Sequence, residues 1–289
     1  MFRRLRYFWH TYVGHSLFSG RFVAAMSLFV LYIVRMLVIL ADKLESLDYT
    51  INLFEMTSLF VVGMSQYIFI TLIFLASFYP EWEGAQGETI RLGKRSWLLG
   101  QYLNCFFLML SFFVIVTLSC LLPLLTCLNW DNHWSEFVTR MADEPFFFME
   151  IDFHYALVWR INQVESPLWV YLVTFGLHLL CGLFMGMLVI TFNICIRRGA
   201  GTAIALVFMM TPYIFDTLGG NTKFINTLKN VVQYYVCPYF QCNVSRMMDR
   251  DPYSIAAQAK IAVIYYLVLI LIVGIYGMIM IKKVDLSRK

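Results

Sequence analysis

The fold is decided by an uninterrupted apolar run without a charged side chain, YLNCFFLMLSFFVIVTLSCLLPLL, residues Tyr102–Leu125. A helix needs about 20 predominantly apolar residues to cross the hydrocarbon core of a bilayer. Because lipid offers no hydrogen-bond partners, only helices and closed barrels can cross it with their backbone groups satisfied. The run therefore predicts a transmembrane helix.

Five further runs of similar length flank this one. The chain is 60% hydrophobic and only 14% charged, which is far from the balance of a soluble domain. Together the runs predict an all-α, polytopic membrane protein with six transmembrane helices in a single domain, residues 1–289. The predicted spans are Phe22–Leu40, Met56–Phe78, Tyr102–Leu125, Leu168–Ile196, Gly201–Leu218 and Ile261–Ile281.

The distribution of Lys and Arg predicts the orientation of these helices. An even number of spans places both termini on one side, which carries thirteen basic residues against four acidic ones; the other side carries eight against twelve. Loops rich in Lys and Arg stay in the cytoplasm, so both termini are expected to be cytoplasmic. We expect a plasma-membrane protein, in a bacterium one of the inner (cytoplasmic) membrane. The net charge of +4 is a topology signal and predicts no nucleic-acid partner.

The segments outside the spans differ in character. Residues 1–21 combine aromatic and basic residues at helical spacing, which predicts an amphipathic helix lying in the cytoplasmic interface against membrane lipids. A frayed basic leader that only sets the topology is the alternative. Residues 79–101 form the predicted cytoplasmic loop, and residues 126–167 and 219–260 form aromatic-rich outer segments.

The charged stretch EWEGAQGETIRLGKRSW, Glu81–Trp97, is the part of the chain best suited to a soluble partner. A P-loop requires Gly, four residues and then Gly-Lys-Ser/Thr. Here five residues separate Gly87 from Gly93, and Arg95 stands at the hydroxyl position, so no nucleotide site and no ATPase activity are predicted. The stretch is too short to fold alone. We expect a short helix parallel to the membrane, with a solvated connector as the alternative.

Other candidate chemistry is sparse. Ser65 on the second span and His178 on the fourth could form the serine–histidine pair of an intramembrane hydrolase. A single histidine on an apolar helix, however, usually just hydrogen-bonds to a neighbouring helix. His133 and His154 lack a Cys or carboxylate at metal-ligand spacing. No catalytic residue and no metal site are therefore predicted.

Two intramembrane charges lead to a structural expectation. Charged side chains inside a membrane are costly and are usually paired. Arg35 on the first span and Asp216 on the fifth are therefore expected to form an ion pair, with Glu55 as another candidate partner. A role of these charges in a substrate path is the alternative.

Two further patterns concern covalent links and helix packing. Cys237 and Cys242 share an outer segment and are candidates for a disulfide in an oxidising exterior, with Cys127 as a rival partner. Gly182 and Gly186 on the fourth span form a GxxxG pattern, which favours close helix contacts. That pattern does not distinguish packing within the chain from dimerisation.

Across its whole length the chain resembles the permease (transmembrane) subunits of the type-2 class of ATP-binding-cassette (ABC) exporters. The matching features are the amphipathic N-terminal segment, six spans with both ends inside, and a charged cytoplasmic loop between the second and third spans. The extended outer segment between the fifth and sixth spans matches too. Locally, GKRSWLLGQ, Gly93–Gln101, resembles the family's basic-then-aliphatic-Gly entry into the third span.

The resemblance implies a function and a set of partners. The charged loop would be a coupling helix that docks on a separate ABC ATPase subunit. Two such ATPases, which bind the ATP and Mg²⁺, would move two permease subunits, identical or homologous, between alternating conformations. This chain would bind no cofactor itself. The implied docking residues are Glu81, Glu83, Gly84, Glu88, Arg91, Lys94 and Arg95.

The resemblance also implies where a substrate would pass. In this family the path lies between the two halves, lined largely by the second and fifth spans. Methionine and aromatic side chains adapt to varied shapes, which suits an amphipathic cargo such as a peptide, drug or lipid. Two alternatives stay open: a non-transport membrane scaffold or sensor, including a peptide-immunity protein, and the Ser65–His178 hydrolase. The implied lining residues are Met64, Tyr67, Phe208, Met209, Tyr213 and Phe215.

Overall fold

A computed structural model describes residues 15–80, 85–143, 166–217, 237–244 and 255–284, together with positions 227, 231 and 247. Within these residues the regular structure is helical apart from two strands of two residues each. Residues 1–14 of the predicted interfacial helix lie outside the described residues, as do large parts of both predicted outer segments.

The described helices and strands are numbered here in the order in which they follow one another along the chain. The helices are α1 (His15–Leu17), α2 (Gly20–Ser46), α3 (Leu53–Gly63), α4 (Ser65–Ser77), α5 (Ala85–Leu92), α6 (Lys94–Leu124), α7 (Glu136–Asp143), α8 (Pro167–Cys195), α9 (Ala200–Thr217), α10 (Pro238–Cys242) and α11 (Ile255–Met280). The strands are β1 (Ile51–Asn52) and β2 (Leu128–Asn129).

The helix α8 is the centre of the bundle. It packs against α3, α4, α6, α9 and α11, and 67% of its most apolar stretch is buried, compared with 17% for α11. A helix that is apolar on all sides belongs in the interior or in lipid. The two helices illustrate both cases, because α8 is covered by its neighbours whereas α11 presents most of its surface outward.

The long helices agree with a membrane-embedded, multi-pass protein. Among the described residues, α2, α6, α8 and α11 are each long and apolar enough to cross a membrane, and α3 with α4 adds a fifth crossing if the pair is one span. The predicted fifth span corresponds to α9, Ala200–Thr217, whose side chains are described as far as Thr211. The all-α, polytopic class is confirmed, and the total of six spans stays a prediction.

The predicted second span, Met56–Phe78, needs correction because it is not one continuous helix. It consists of α3 and α4, which meet at an angle of 72°. The break falls at Met64, between Gly63 and Ser65. A glycine and a serine close together are a common cause of sharp kinks. The uniform hydrophobicity of the run conceals this local break.

At the end of the bundle that holds β1, β2 and α7, the buried Glu55 joins two segments that are distant in sequence. The strands β1 and β2 pair in parallel. The Glu55 carboxylate accepts a hydrogen bond from the Asn52 amide at 3.1 Å and another from the Ser135 amide. Both carboxylate oxygens therefore satisfy backbone donors at the starts of α3 and α7. Because both Glu55 oxygens accept these hydrogen bonds, the structure does not support an ion pair between Glu55 and Arg35.

The glycine pair of α8 faces other helices of the same chain. A Cβ atom on Gly182 would lie 3.2 Å from Leu72 Cδ1 on α4, and one on Gly186 would overlap Cys105 Sγ on α6. The small residues therefore let α8 approach its neighbours closely, as small residues do in membrane helices. The GxxxG pattern serves packing within this chain.

We expect that replacing Gly201 by alanine lowers the stability of the contact between α8 and α9. The new Cβ would lie 2.7 Å from both the Cα and the carbonyl carbon of Val189, and backbone atoms of a packed helix cannot easily move aside. The free energy of unfolding should fall by about 1–3 kcal/mol, the usual cost of overpacking. The measurement is the thermal unfolding midpoint in detergent. Gly176→Ala on α8 is the control, since a Cβ there meets no atom within 4 Å; equal midpoints would contradict the tight contact.

Candidate functional site

The two ends of the bundle differ in charge. The end that carries α5, here called the α5 end, also holds the start of α2, the end of α4 and the ends of α8 and α11. The described acidic side chain there is Glu88. An excess of one sign of charge at one end creates a strong local potential. The described basic residues of the α5 end are Arg21, Arg91, Lys94, Arg95, Arg197, Arg198, Lys282 and Lys283.

The short helix α5 is fixed against the start of α6. The indole Nε1 of the buried Trp97 donates a hydrogen bond to Glu88 Oε2 at 3.2 Å. Between the two helices Gly93 adopts a φ of 82°, a left-handed conformation that glycine tolerates without strain. The turn and the hydrogen bond set the direction of α5. As a result, Ile90 and Arg91 point away from the bundle, and Ile90 is 85% exposed.

The predicted docking residues are only partly described. Glu88 turns toward α6 through Trp97 rather than outward, whereas Arg91 and Arg95 are exposed. Ile90 was missed as a candidate, although an isoleucine within the polar sequence GETIR is a detectable signal. The predicted docking residues that lie outside the described residues are Glu81, Glu83 and Gly84.

A basic cavity of about 430 Å³ adjoins α5. Its walls are formed by Gly93, Lys94, Arg95, Ser96 and Lys282, so it lies between the first turn of α6 and the segment after α11. The Lys94 ammonium donates a hydrogen bond to the Val284 carbonyl at 2.6 Å, which ties these two segments together. The basic side chains and the positive end of the α6 dipole favour an anionic group in this cavity.

Two of the predicted path residues lie at the beginning of α4. Met64 occupies the break itself, where its sulfur accepts a weak hydrogen bond from the Tyr32 hydroxyl at 3.9 Å. Tyr67 is 60% exposed and lines a groove between α2 and α4. Both side chains therefore face α2 or the surroundings of the bundle.

The predicted path residues on α9 lie elsewhere. Phe208 packs against Phe184 of α8, with 6.4 Å between ring centroids, and Met209 is buried. The side chains of Tyr213 and Phe215 lie outside the described residues. Within one chain the described candidates therefore do not converge on a common cavity.

The structure brings Ser65 and His178 together. Ser65 Oγ lies 3.2 Å from His178 Nε2, and His178 Nδ1 lies 2.8 Å from the Thr174 carbonyl oxygen. A carbonyl oxygen can only accept, so Nδ1 carries a proton, and in the neutral ring Nε2 is then the acceptor. The imidazole also stacks on Phe69, with 5.5 Å between ring centroids. These contacts fix the histidine in one orientation.

The Ser65 hydroxyl also serves the backbone at the break. Its Oγ lies 2.6 Å from the Val62 carbonyl oxygen and 2.9 Å from that of Val61. Carbonyls in the last turn of a helix have lost their intrahelical donors, and a nearby serine can replace them. The single hydroxyl proton is shared between these carbonyls and His178 Nε2. Ser65 thus closes the end of α3, and His178 ties that closure to α8.

This environment does not suit a hydrolase. Both Ser65 and His178 are completely buried, so a substrate carbonyl has no access to Ser65 Oγ in this conformation. The group that orients His178 is a backbone carbonyl, whereas a catalytic triad uses a carboxylate or amide side chain. The contact is better explained as a polar link between membrane helices.

Two further predictions have different outcomes. Arg35 is exposed on α2, but the side chain of Asp216 lies outside the described residues, so their ion pair stays a prediction. Cys237 and Cys242 are both thiols in the structure. Cys237 is the N-cap of α10 and Cys242 is its last residue, and positions five apart on a helix point about 140° from each other. A bridge between them would therefore require this turn to unwind.

Comparison of the chain with protein-family models, with curated proteins and with solved structures gave no match. Functional inference therefore rests on the residues of this chain alone. Across the described part of the chain, no group of three or more His, Cys, Asp or Glu side chains is arranged to hold a metal ion; His154 lies outside that part.

We expect Ser65→Ala to destabilise the break between α3 and α4. The substitution removes the donor for the Val61 and Val62 carbonyls and leaves His178 Nε2 buried without a partner. An unsatisfied buried polar group costs about 1–3 kcal/mol, so the thermal midpoint in detergent should fall clearly. Ser77→Ala is the matched control, because its hydroxyl bonds only the Phe74 carbonyl of its own helix at the partly exposed end of α4. A midpoint for Ser65→Ala as high as that of the control would show that Ser65 does not hold the break.

Proposed function

We propose that the protein is the permease subunit of an ATP-driven exporter of the type-2 ABC class, with an amphipathic peptide, drug or lipid as its cargo. In this proposal the chain spans the plasma membrane six times with both termini in the cytoplasm. The α5 end is the cytoplasmic one, because clusters of Lys and Arg remain on that side. In this proposal the ATP and Mg²⁺ are bound by the separate ATPase subunits.

The observation that carries the proposal is the outward face of α5. An isoleucine that is 85% exposed, next to an exposed arginine, stands on an eight-residue helix between two spans. Amphipathic helices are recognised when such an apolar anchor enters a groove of a partner. Ile90 and Arg91 would suit a cleft with an apolar floor and an acidic rim on a soluble ATPase subunit.

The attachment of α5 supports a mechanical role. The Trp97–Glu88 hydrogen bond and the tight turn at Gly93 join α5 to the first turn of α6. The helix α6 packs against α2, α3 and α8. A displacement of α5 by a closing ATPase would thus be passed to α6 and from there to the centre of the bundle, as alternating access requires.

A second permease subunit, identical or homologous, completes the proposal. The outward side of α9 carries exposed apolar side chains in the single chain, namely Leu206, Val207 and Met210. The substrate path would lie between two such subunits, which agrees with the lack of a common cavity among the described path candidates within one chain. The methionine and aromatic content of α4 and α9 suits an adaptable path for amphipathic molecules.

We expect Ile90→Ser to release the ATPase subunit. Burial of an isoleucine side chain is worth about 1.5–3 kcal/mol, so the affinity should fall about tenfold or more. The tagged full-length protein is purified in mild detergent from its native membrane, and vanadate-sensitive ATP hydrolysis is measured per mole of chain. Wild-type protein should retain this activity, and Ile90→Ser should lose most of it.

The control variant is Phe18→Ser, which removes a side chain of similar exposure, 84%, from the connection between α1 and α2 at the same end. It should retain the ATPase activity of the wild type. Wild-type protein that purifies as a monomer without ATP hydrolysis would contradict the proposal and favour a non-transport scaffold. Equal loss in both variants would contradict docking through α5.

A further inference from the structure

A groove between α2 and α4 runs along the side of the bundle. It encloses about 800 Å³, within the range of ligand sites in proteins. The groove exists because α2 packs mainly on α6 and only lightly on α4, and because α2 presents two alanines to it. Its lining residues are Arg21, Ala24, Ala25, Leu28, Phe29, Tyr32, Tyr67, Ile70, Thr71, Phe74 and Phe78.

The walls of the groove are apolar and largely uncovered. Leu28 is 71% exposed and Phe74 55% exposed. Their neighbours along the groove are aliphatic or aromatic, so water is a poor occupant. In a bilayer the natural material to cover such a surface is hydrocarbon.

One end of the groove carries a positive charge. The guanidinium carbon of Arg21 lies 4.8 Å from the centroid of the Phe78 ring, a cation–π contact that holds the charge at the mouth of the groove. No acidic residue stands in the first turn of α2 to neutralise it. Arg21 can present its N–H donors to an anion, and a guanidinium matches phosphate geometry well.

The other end of the groove carries polar side chains. The Tyr32 hydroxyl reaches the Met64 sulfur at the break between α3 and α4, and Tyr67 and Thr71 lie beside it in the lining. From Arg21 to Tyr32 the helix rises about 16 Å. This is about half of the 30 Å hydrocarbon core of a bilayer, so the groove has the depth of one leaflet.

We infer that this groove binds one acyl chain of an anionic glycerophospholipid from the leaflet at the α5 end, with the lipid phosphate at Arg21. The positive mouth selects the anionic headgroup, the apolar walls cover the chain, and the Tyr32–Met64 contact sets where it ends. This inference does not depend on the proposed transport function. A lipid held here would occupy the surface of α4 next to the break.

The competing occupant is a helix from a second copy of the chain. Of the six predicted spans, the fifth alone carries an acidic residue, Asp216, so the other spans of a second copy would bring Arg21 no anionic partner. The charge at the mouth of the groove therefore favours an anionic lipid.

Native mass spectrometry of the full-length protein in detergent tests the inference. Dioleoyl-phosphatidylglycerol and dioleoyl-phosphatidylcholine are titrated separately, and phosphatidylglycerol should bind about fivefold or more tightly, as one basic residue near a charged headgroup provides. Arg21→Gln should reduce phosphatidylglycerol binding to the level of phosphatidylcholine. Arg35→Gln, which removes another exposed arginine of α2 that does not line the groove, should leave the preference unchanged.

A second variant tests the apolar part of the groove separately. Ala24 is exposed and lines the groove, so Ala24→Phe should fill it and weaken binding of both lipids by a similar factor. An excess of inorganic phosphate should not displace the lipid, because the acyl chain contributes to its binding. Unchanged preference in Arg21→Gln, unchanged lipid binding in Ala24→Phe, or a dimer that Ala24→Phe dissociates would each overturn the inference.

Discussion

The structure depends on how the chain satisfies the backbone carbonyls at the break between α3 and α4. In hydrocarbon no water is present to accept or donate hydrogen bonds, so a helix can break only where other groups take over. Ser65 supplies the donor for the Val61 and Val62 carbonyls, and His178 holds Ser65 from the central helix. At the 72° bend this polar contact satisfies the broken helix end inside an apolar bundle.

The spans could be predicted from the sequence because their signal is local, whereas the bend could not. A run of about 20 apolar residues is visible by length alone, and the observed long helices begin one to eight residues before the predicted spans and end within six residues of the predicted ends. The hydrogen bond that supports the bend joins residues 113 positions apart. The same serine and histidine stand out in the sequence for their chemistry, but nothing in a single sequence shows that they close a helix end.

In the candidate site, too, local sequence signals could be predicted whereas long-range contacts could not. The charged composition of the stretch between the second and third spans is local, and it correctly located α5 outside the apolar helices. The orientation of α5 about its axis, by contrast, depends on a tertiary contact, the hydrogen bond from Trp97 to Glu88. That contact turns a predicted docking residue inward and leaves Ile90 outward. The groove between α2 and α4 is still less visible in the sequence, because it is a space between two spans rather than a motif.

The bend and the groove are physically linked, since Met64 takes part in both. It is the residue at which α3 ends and α4 begins, and its sulfur meets the Tyr32 hydroxyl at one end of the groove. If α3 and α4 formed one straight helix, the Met64 side chain would leave this position and the Tyr32 hydroxyl at that end of the groove would lose its partner. A lipid acyl chain in the groove therefore binds the bent and the straight form of the protein with different affinities, and it favours the bent form. By the general rule that a ligand shifts an equilibrium only through such a difference, lipid in this groove stabilises the same conformation that Ser65 and His178 hold.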